Sequence, residues 1–304
     1  MSFVHVNSLF YKGKGFLDLL TYIGATVCFS IFLFSIGYIQ GKKLEQKEVD
    51  TWRRTLIKSI LVYLPYLLLG ILSWIVFGNL LSGKILFDIA ILSILPEYVE
   101  FLSAFIFFYL FAKLAYPFLS KFLEKPEILI LLGVFSYLSG VLLHKLDSSN
   151  PVFTWLQTHL AGNGATPVFP LLHYMPIYLS GIILSKYGNK LVYSWVFSLS
   201  LLLIILIKAF NFTLWYRWPP SVAFLLFGLL FISFILFFVE YIERFKCLRF
   251  LKLFGQKPLH SLFYLTFFTF LLRLIIIGDT TVVVTWLLNL GIFLFAYISI
   301  LMSK

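Results

Sequence analysis

Long apolar runs, broken by short polar clusters, set the pattern of this chain. Examples are Ala25–Ile39, "ATVCFSIFLFSIGYI", and Leu191–Phe210, "LVYSWVFSLSLLLIILIKAF". Runs of about 20 apolar residues match the hydrocarbon thickness of a bilayer when coiled as a helix. A membrane β-barrel would instead show short alternating segments, and the pattern has none. The spacing predicts nine full transmembrane helices, near 17–41, 55–78, 97–118, 127–146, 168–187, 191–210, 220–242, 258–277 and 281–302. Residues 1–11 are apolar but too short to cross, and read as a partial N-terminal helix. Residues 85–95, "ILFDIAILSIL", are also short and predict an interfacial or re-entrant piece ending at Pro96. The expected fold class is all-α, a polytopic helical membrane protein forming one integral-membrane domain.

Composition supports this reading. Of the 304 residues, 61% are hydrophobic and 12% charged, and the mean hydropathy is +0.98. Soluble domains carry roughly a quarter charged residues, so this chain lacks the polar surface to cover a soluble ball. The two cysteines, Cys28 and Cys247, make neither a disulfide framework nor a metal cluster.

The net charge of +11 changes the picture through its distribution. If the 42–54 loop is cytoplasmic, fourteen lysines and arginines fall on that side, among them Lys42, Lys43, Arg53, Arg54, Lys121, Lys186 and Arg244. Five fall opposite: Lys12, Lys14, Lys84, Lys145 and Arg217. Basic residues favour the cytoplasmic side, so the C-terminus is expected inside. The charge therefore points to topology and the lipid bilayer, with no nucleic acid as partner. Lys58, Lys113, Lys208, Lys257 and Arg273 lie near span ends and read as snorkelling cations. The longest external connection, 147–167, is rich in Gly, Pro, Asn and Thr and predicts a surface loop. The absence of visible symmetry between the two halves weakens a transporter reading.

"LWYRWPPSVAFLLFG", residues 214–228, puts aromatics and prolines directly ahead of an apolar span. An interfacial aromatic belt explains Trp215, Tyr216 and Trp218, and a first helical turn explains the prolines. Arg217 either snorkels outward or binds an anionic group in a cavity.

Arg-Trp-Pro-Pro-Ser followed by an apolar span resembles a Lys/Arg-Tyr-Pro-Pro-Ser stretch in bacterial relatives of the heparan-α-glucosaminide N-acetyltransferase family. Three further segments agree in order. "FGQKPLHSLFYL" (254–265) is similar to that family's C-terminal Phe-Gly-x-x-Pro-Leu-x-x-x-Tyr segment. "FPLLHYMPIYLSGIILSKYG" (169–188) is similar to a Phe-Pro-Leu-Leu segment found there and in acyltransferase-3 proteins. "CFSIFLFSIGYIQGKK" (28–43) resembles the second-span signature of both. The resemblance implies a membrane enzyme moving an acyl group from acetyl-CoA or another acyl-CoA to a sugar hydroxyl or amine near the outer side. Both families begin with a full first span, an arginine ahead of it and a histidine toward its end. Here only "MSFVHVNSLFYKGKGF" precedes the second span, so most of that helix and its arginine are expected to be missing. Tyr264-Leu265-Thr266-Phe267 also stands where relatives often show Tyr-x-x-His.

Acyl transfer needs a base for the acceptor or a nucleophile to receive the acyl group. His5 fits the end of the shortened first span and is the leading catalytic candidate, with Asn7 orienting substrate or oxyanion. The alternative is a pair of ordinary polar residues at a frayed terminus. His173 lies between Pro170 and Pro176, where a broken helix would line a cavity, or else it donates to a freed carbonyl. His159 is expected in the solvated external loop, and His144 and His260 flank span ends. Glu97 and Glu100 follow Pro96 and are expected on one face of a helix start, either as a dipole-stabilised pair or as ligands for sugar hydroxyls. Glu97, Glu100, His173 and Arg217 thus form the candidate acceptor-binding set. Lys42, Lys43, Arg53 and Arg54 form the candidate donor set for coenzyme A phosphates, against a purely topological role. The expected partners are the bilayer and a carbohydrate or glycolipid acceptor, with no metal; a homodimer is left open. Two competing readings remain: a lipid or glycan flippase without acyl chemistry, and an inactive relative serving as a subunit of an envelope-polymer assembly. The expected location is the plasma (inner) membrane.

Overall fold

The computed structural model describes residues 2–11, 16–146, 149–162, 169–209, 220–244, 258–276 and 278–302. Among the described residues every regular element is a helix. In chain order they are α1 (Ser2–Phe10), α2 (Phe16–Glu45), α3 (Trp52–Val76), α4 (Gly83–Ala90), α5 (Glu100–Leu114), α6 (Tyr116–Phe122), α7 (Pro126–His144), α8 (Pro151–Ala161), α9 (Leu171–Tyr187), α10 (Lys190–Ala209), α11 (Val222–Arg244), α12 (Pro258–Ile275) and α13 (Val282–Met302).

Among the described residues, α3, α7, α10, α13 and the stretch Val222–Val239 of α11 are long and apolar enough to cross a membrane. The number rises to six if α5 and α6, bent by 66° at their junction, count as one broken span. The predicted spans at 17–41, 168–187 and 258–277 also coincide with helices, namely α2, α9 and α12. The outward faces of α7 and α10 are apolar. Leu131, Phe135 and Leu142 of α7 are exposed, while the residues it buries are Leu129, Gly133, Ser136 and Gly140. The buried set of α10 is Ser200 alone. Large apolar residues outside and small ones inside are the distribution expected of helices that meet lipid on one face and another helix on the other.

The chain divides into two compact units. The first comprises Met1–Cys28, Pro65–Val99 and Phe238–Lys304; the second comprises Phe29–Leu64 and Glu100–Phe237. In the first unit α1 packs against α12 and α13, which pack against each other. Tyr66 Oη donates to the carbonyls of Ile94 (3.0 Å) and Ile89 (3.3 Å), and Ser73 Oγ donates to that of Glu97 (2.7 Å). These bonds tie the 85–97 segment to the second half of α3. The expected interfacial piece is α4 followed by a turn, with Leu92 at φ 62°.

In the second unit α9 is the central helix, buried around its circumference and packed along α7. Close packing against α2 relies on small residues. A Cβ on Gly37 would collide with the carbonyl oxygen of Tyr178, and one on Gly181 with that of Phe34. Gly37 and Gly41 on α2 thus face Gly181 and Ser185 on α9, four residues apart on each helix. Small residues at this spacing let two backbones approach closely. The expected surface loop 147–167 contains α8, which corrects that reading. Asn150 caps it, accepting from the amides of Val152 (2.9 Å) and Phe153 (3.2 Å), and Pro151 occupies its first turn. Gln157 Nε2 then donates to the carbonyls of Leu143 (2.8 Å) and Leu146 and so satisfies the end of α7.

Candidate functional site: a lysine-lined cavity at three helix ends

The last turn of α2, the connection 46–51, the first turns of α3 and the α5–α6 break enclose a cavity of about 230 Å³. Its apolar wall includes Ile36, Ile39, Ala112, Tyr109 and Tyr116, and its charged wall is Lys43, Lys58, Lys113 and Asp50. Three ammonium groups face one carboxylate, so the cavity is electropositive.

Local sequence explains how each charge arrives. Lys43 ends α2, where a cation complements the helix dipole. Thr51 precedes α3; its Oγ1 accepts from the Arg54 amide at 3.3 Å, and its carbonyl accepts from the Thr55 amide at 3.0 Å. Lys58 follows two turns later on the face that buries Thr55 and Ser59. Pro117 lacks an N–H and cannot continue α5, so the chain bends at Ala115 and restarts as α6 with the proline in its first turn. That break puts Lys113 and Tyr116 on the cavity wall. The Lys113 ammonium also lies 5.6 Å from the centre of the Trp52 ring.

Asp50 holds the charges together. Lys43 Nζ and Lys58 Nζ each donate to its Oδ2 at 2.6 Å. Burial raises the Asp50 pKa, but the two lysine bonds and their charges outweigh it and hold the carboxyl below the ordinary aspartate value.

A second cavity of about 460 Å³ shares Tyr116 with the first. It is lined by Glu45, Lys47, Glu124 and Lys186, with Leu44, Ser120 and Leu123. Its charges balance, and Lys186 pairs with Glu124. This second cavity is therefore not electropositive.

Compared with family models, curated proteins and solved structures, the chain finds no match.

Of the four cations expected to meet coenzyme A phosphates, one lines this cavity. Lys43 lines the cavity, but Lys42 pairs with Glu45 at 3.0 Å, and Arg53 and Arg54 are exposed. Lys58 and Lys113, read from sequence as snorkelling, line the cavity with Lys43. Their one sequence signal is position: both sit a turn or so inside an apolar helix, where a merely topological charge has no need to be.

The acceptor set is dispersed. Glu97 is exposed in the turn before α5, whereas Glu100 is buried at the helix start. Tyr98 stands between them at φ 67°, so the two carboxylates do not share a helix face. His173 is buried on α9, with its ring centre 5.2 Å from that of Tyr137. A Cβ on Gly140 would lie 2.8 Å from its Nδ1, so glycine makes its room. Among the described residues that Nδ1 has no hydrogen-bond partner, and no freed carbonyl takes it up. His159 is buried on α8, against the rings of Phe107 (4.7 Å) and Trp155 (4.8 Å), where a solvated residue was expected. His144 Nδ1 meets the Gly162 carbonyl at 2.6 Å. Arg217 and its aromatic neighbours lie outside the described residues.

His5 falls within α1, and its side chain is outside what is described. Asn7 is buried, with both ends of its amide in use. Its Nδ2 donates to Thr21 Oγ1 at 2.9 Å, and its Oδ1 accepts from Asn289 Nδ2 at 3.1 Å. Thr280 Oγ1 donates to the Phe10 carbonyl at 2.9 Å. These bonds join α1 to α2, α13 and the segment before α13. Asn7 is therefore a structural tie in this arrangement, which an isolated "HVN" could not reveal.

Proposed function

We propose that the chain is a multi-pass acyltransferase of the plasma (inner) membrane. It takes an acyl group, acetyl in the simplest case, from acyl-CoA on the cytoplasmic side. It passes that group to a sugar or glycan on the outer side. The observation that carries this reading is the cavity holding Lys43, Lys58 and Lys113. Its three helix ends fall on the side that the cation asymmetry makes cytoplasmic. Ammonium groups suit phosphate as point charges, and apolar residues line the rest of the cavity.

In this topology the chain crosses the membrane nine times, counting α2, α9, α12 and the broken α5–α6 span with the four long helices and α11. The C-terminus is cytoplasmic. The acceptor hydroxyl loses its proton to a base as its oxygen attacks the thioester carbonyl. The carbon–sulfur bond then breaks, and the coenzyme A thiolate takes a proton. His5 is assigned as the base from its place in α1, ahead of the α2 span, and His173 is the residue for comparison.

A second reading has one observation in its favour. Asn7 is bound on both sides, as suits an N-terminal segment kept for structure. An inactive relative, acting as a subunit of an envelope assembly, would have such a segment.

Purified protein in nanodiscs, given acetyl-CoA and candidate acceptors, should release coenzyme A only when acceptor is present. Lys58→Gln with Lys113→Gln should weaken acetyl-CoA binding. The exposed pair Arg53→Gln with Arg54→Gln should change it far less. Equal losses in the two double variants would remove the cavity from the donor site. Donor binding without acyl transfer, with His5→Ala no different from the parent, would favour the inactive relative.

A further inference from the structure

The charged wall of the cavity is already occupied by an anion of the protein itself. Lys43 and Lys58 donate to the same oxygen of Asp50, both at 2.6 Å. Their nitrogens therefore stand no farther apart than those two bonds laid end to end. One oxygen between two ammonium groups is also how a phosphate oxygen would be held. The third cation, Lys113, has no carboxylate partner among the described residues and lines the same cavity. The carboxylate is thus bound by two of three available cations, in a space larger than it fills.

Asp50 is also placed where it can leave. It sits in the connection between Glu45, the end of α2, and Trp52, the start of α3, outside both helices. Lys43, Lys58 and Lys113 are carried on helices. The cations are fixed on rigid elements, and the anion is on the connecting segment.

We propose that Asp50 is a resident anion holding the phosphate position of this cavity, and that a phosphate-bearing ligand binds by displacing its carboxylate from Lys43 and Lys58. The released carboxylate swings out with residues 49 and 50, between the turn bonded to the end of α2 and the Thr51 cap of α3, and Lys113 adds the third contact to the incoming group. Without ligand, Asp50 prevents two neighbouring ammonium groups from repelling each other. With ligand, it competes. The proposal rests on the donor reading only for the ligand's identity; the exchange of one anion for another stands without it.

The test uses the full chain in neutral-lipid nanodiscs at fixed ionic strength, with inorganic pyrophosphate as probe. Asp50→Asn removes the competing charge and keeps the shape. It should bind pyrophosphate about three- to thirtyfold more tightly than the parent, the range expected for removing one or two partly screened charge pairs. Adding Lys113→Gln should reverse part of that gain. Unchanged or weaker binding by Asp50→Asn overturns the proposal and makes Asp50 an orienting partner of the lysines. A second measurement keeps the native Asp50. A spin label at Glu48→Cys, with Cys28 and Cys247 replaced, should gain mobility on adding pyrophosphate, and an unchanged spectrum overturns displacement. Acetyl-CoA separates the two ideas. Pyrophosphate tightening without acetyl-CoA binding removes the donor reading and leaves the exchange standing. Acetyl-CoA binding with no gain in Asp50→Asn does the reverse. Doping the discs with phosphatidic acid tells a lipid headgroup from a soluble ligand, since only the headgroup would compete with pyrophosphate from within the membrane.

Discussion

Two ammonium groups on one carboxylate oxygen make Asp50 the most consequential single residue of the second unit. Its folded pKa lies below the ordinary value, so folding binds the ionised form more strongly. Its contribution is complete above the unfolded pKa of about 3.9 and is lost as pH falls through the lower folded value. Thermal unfolding in detergent should therefore show the parent more stable than Asp50→Asn at pH 6. The gap should narrow only below about pH 4. A gap that closes near neutrality would mean that another group carries the effect. Asn7 is a second case at this scale. Replacing it with alanine removes the donor to Thr21 Oγ1 and the acceptor of Asn289 Nδ2, which keeps only its bond to the Thr285 carbonyl at 2.9 Å. The cost should be about 1–3 kcal/mol, the desolvation penalty of an unmet buried group, read as a lowered midpoint in the same assay.

At the scale of elements, close helix crossings and short capping helices shape the second unit. Gly37 and Gly181 let α2 and α9 pack backbone to backbone. A methyl group on Gly37 must push the helices apart, so Gly37→Ala should destabilise by about 1–3 kcal/mol, as overpacking does. Gly291 on α13 has nothing within 4 Å of a built Cβ. Gly291→Ala should be neutral or gain up to about 1 kcal/mol, since alanine is the better helix former. Equal effects in the two variants, measured by denaturant titration in mixed micelles, would refute the packing argument. The α5–α6 break is the other decisive element. It turns what reads as one span at 97–118 into a bent pair and delivers Lys113 to the cavity.

For the molecule as a whole, the testable quantity is which ends of the helices face which compartment. With Cys28 and Cys247 replaced, a cysteine introduced at Ser149, before α8, should react with an impermeant maleimide in intact cells. One introduced at Glu48, beside the lysine cavity, should react only after the membrane is opened. Labelling at Glu48 in intact cells would invert the orientation and put the cavity outside, where acyl-CoA is not supplied.

Hydropathy and charge counted along the chain were enough for the all-helical class, the position of the apolar helices and which connections carry positive charge. Each of these follows from a sum over neighbours along the chain: hydropathy over about 20 residues, or lysines and arginines counted loop by loop. The tertiary structure alone decided which of those charges act together. Lys58 and Lys113 are 55 positions apart in the chain and line one cavity only because the chain bends at Ala115, between α5 and α6, beside the start of α3. Arg53 and Arg54, five and four residues before Lys58, are exposed on the same helix end. Glu97 and Glu100 lost their common face to one residue, Tyr98, whose positive φ no periodicity announces. His159 reads as solvated because polar letters in a Gly- and Pro-rich stretch predict a loop. It is buried because that stretch folds as α8 against the end of α7, whose open carbonyls take their donor from Gln157. Hydropathy is local and additive, so it can be read along the chain. A site depends on which helix faces meet, and that is set by a few glycines, one proline and one turn, through contacts between residues far apart in sequence.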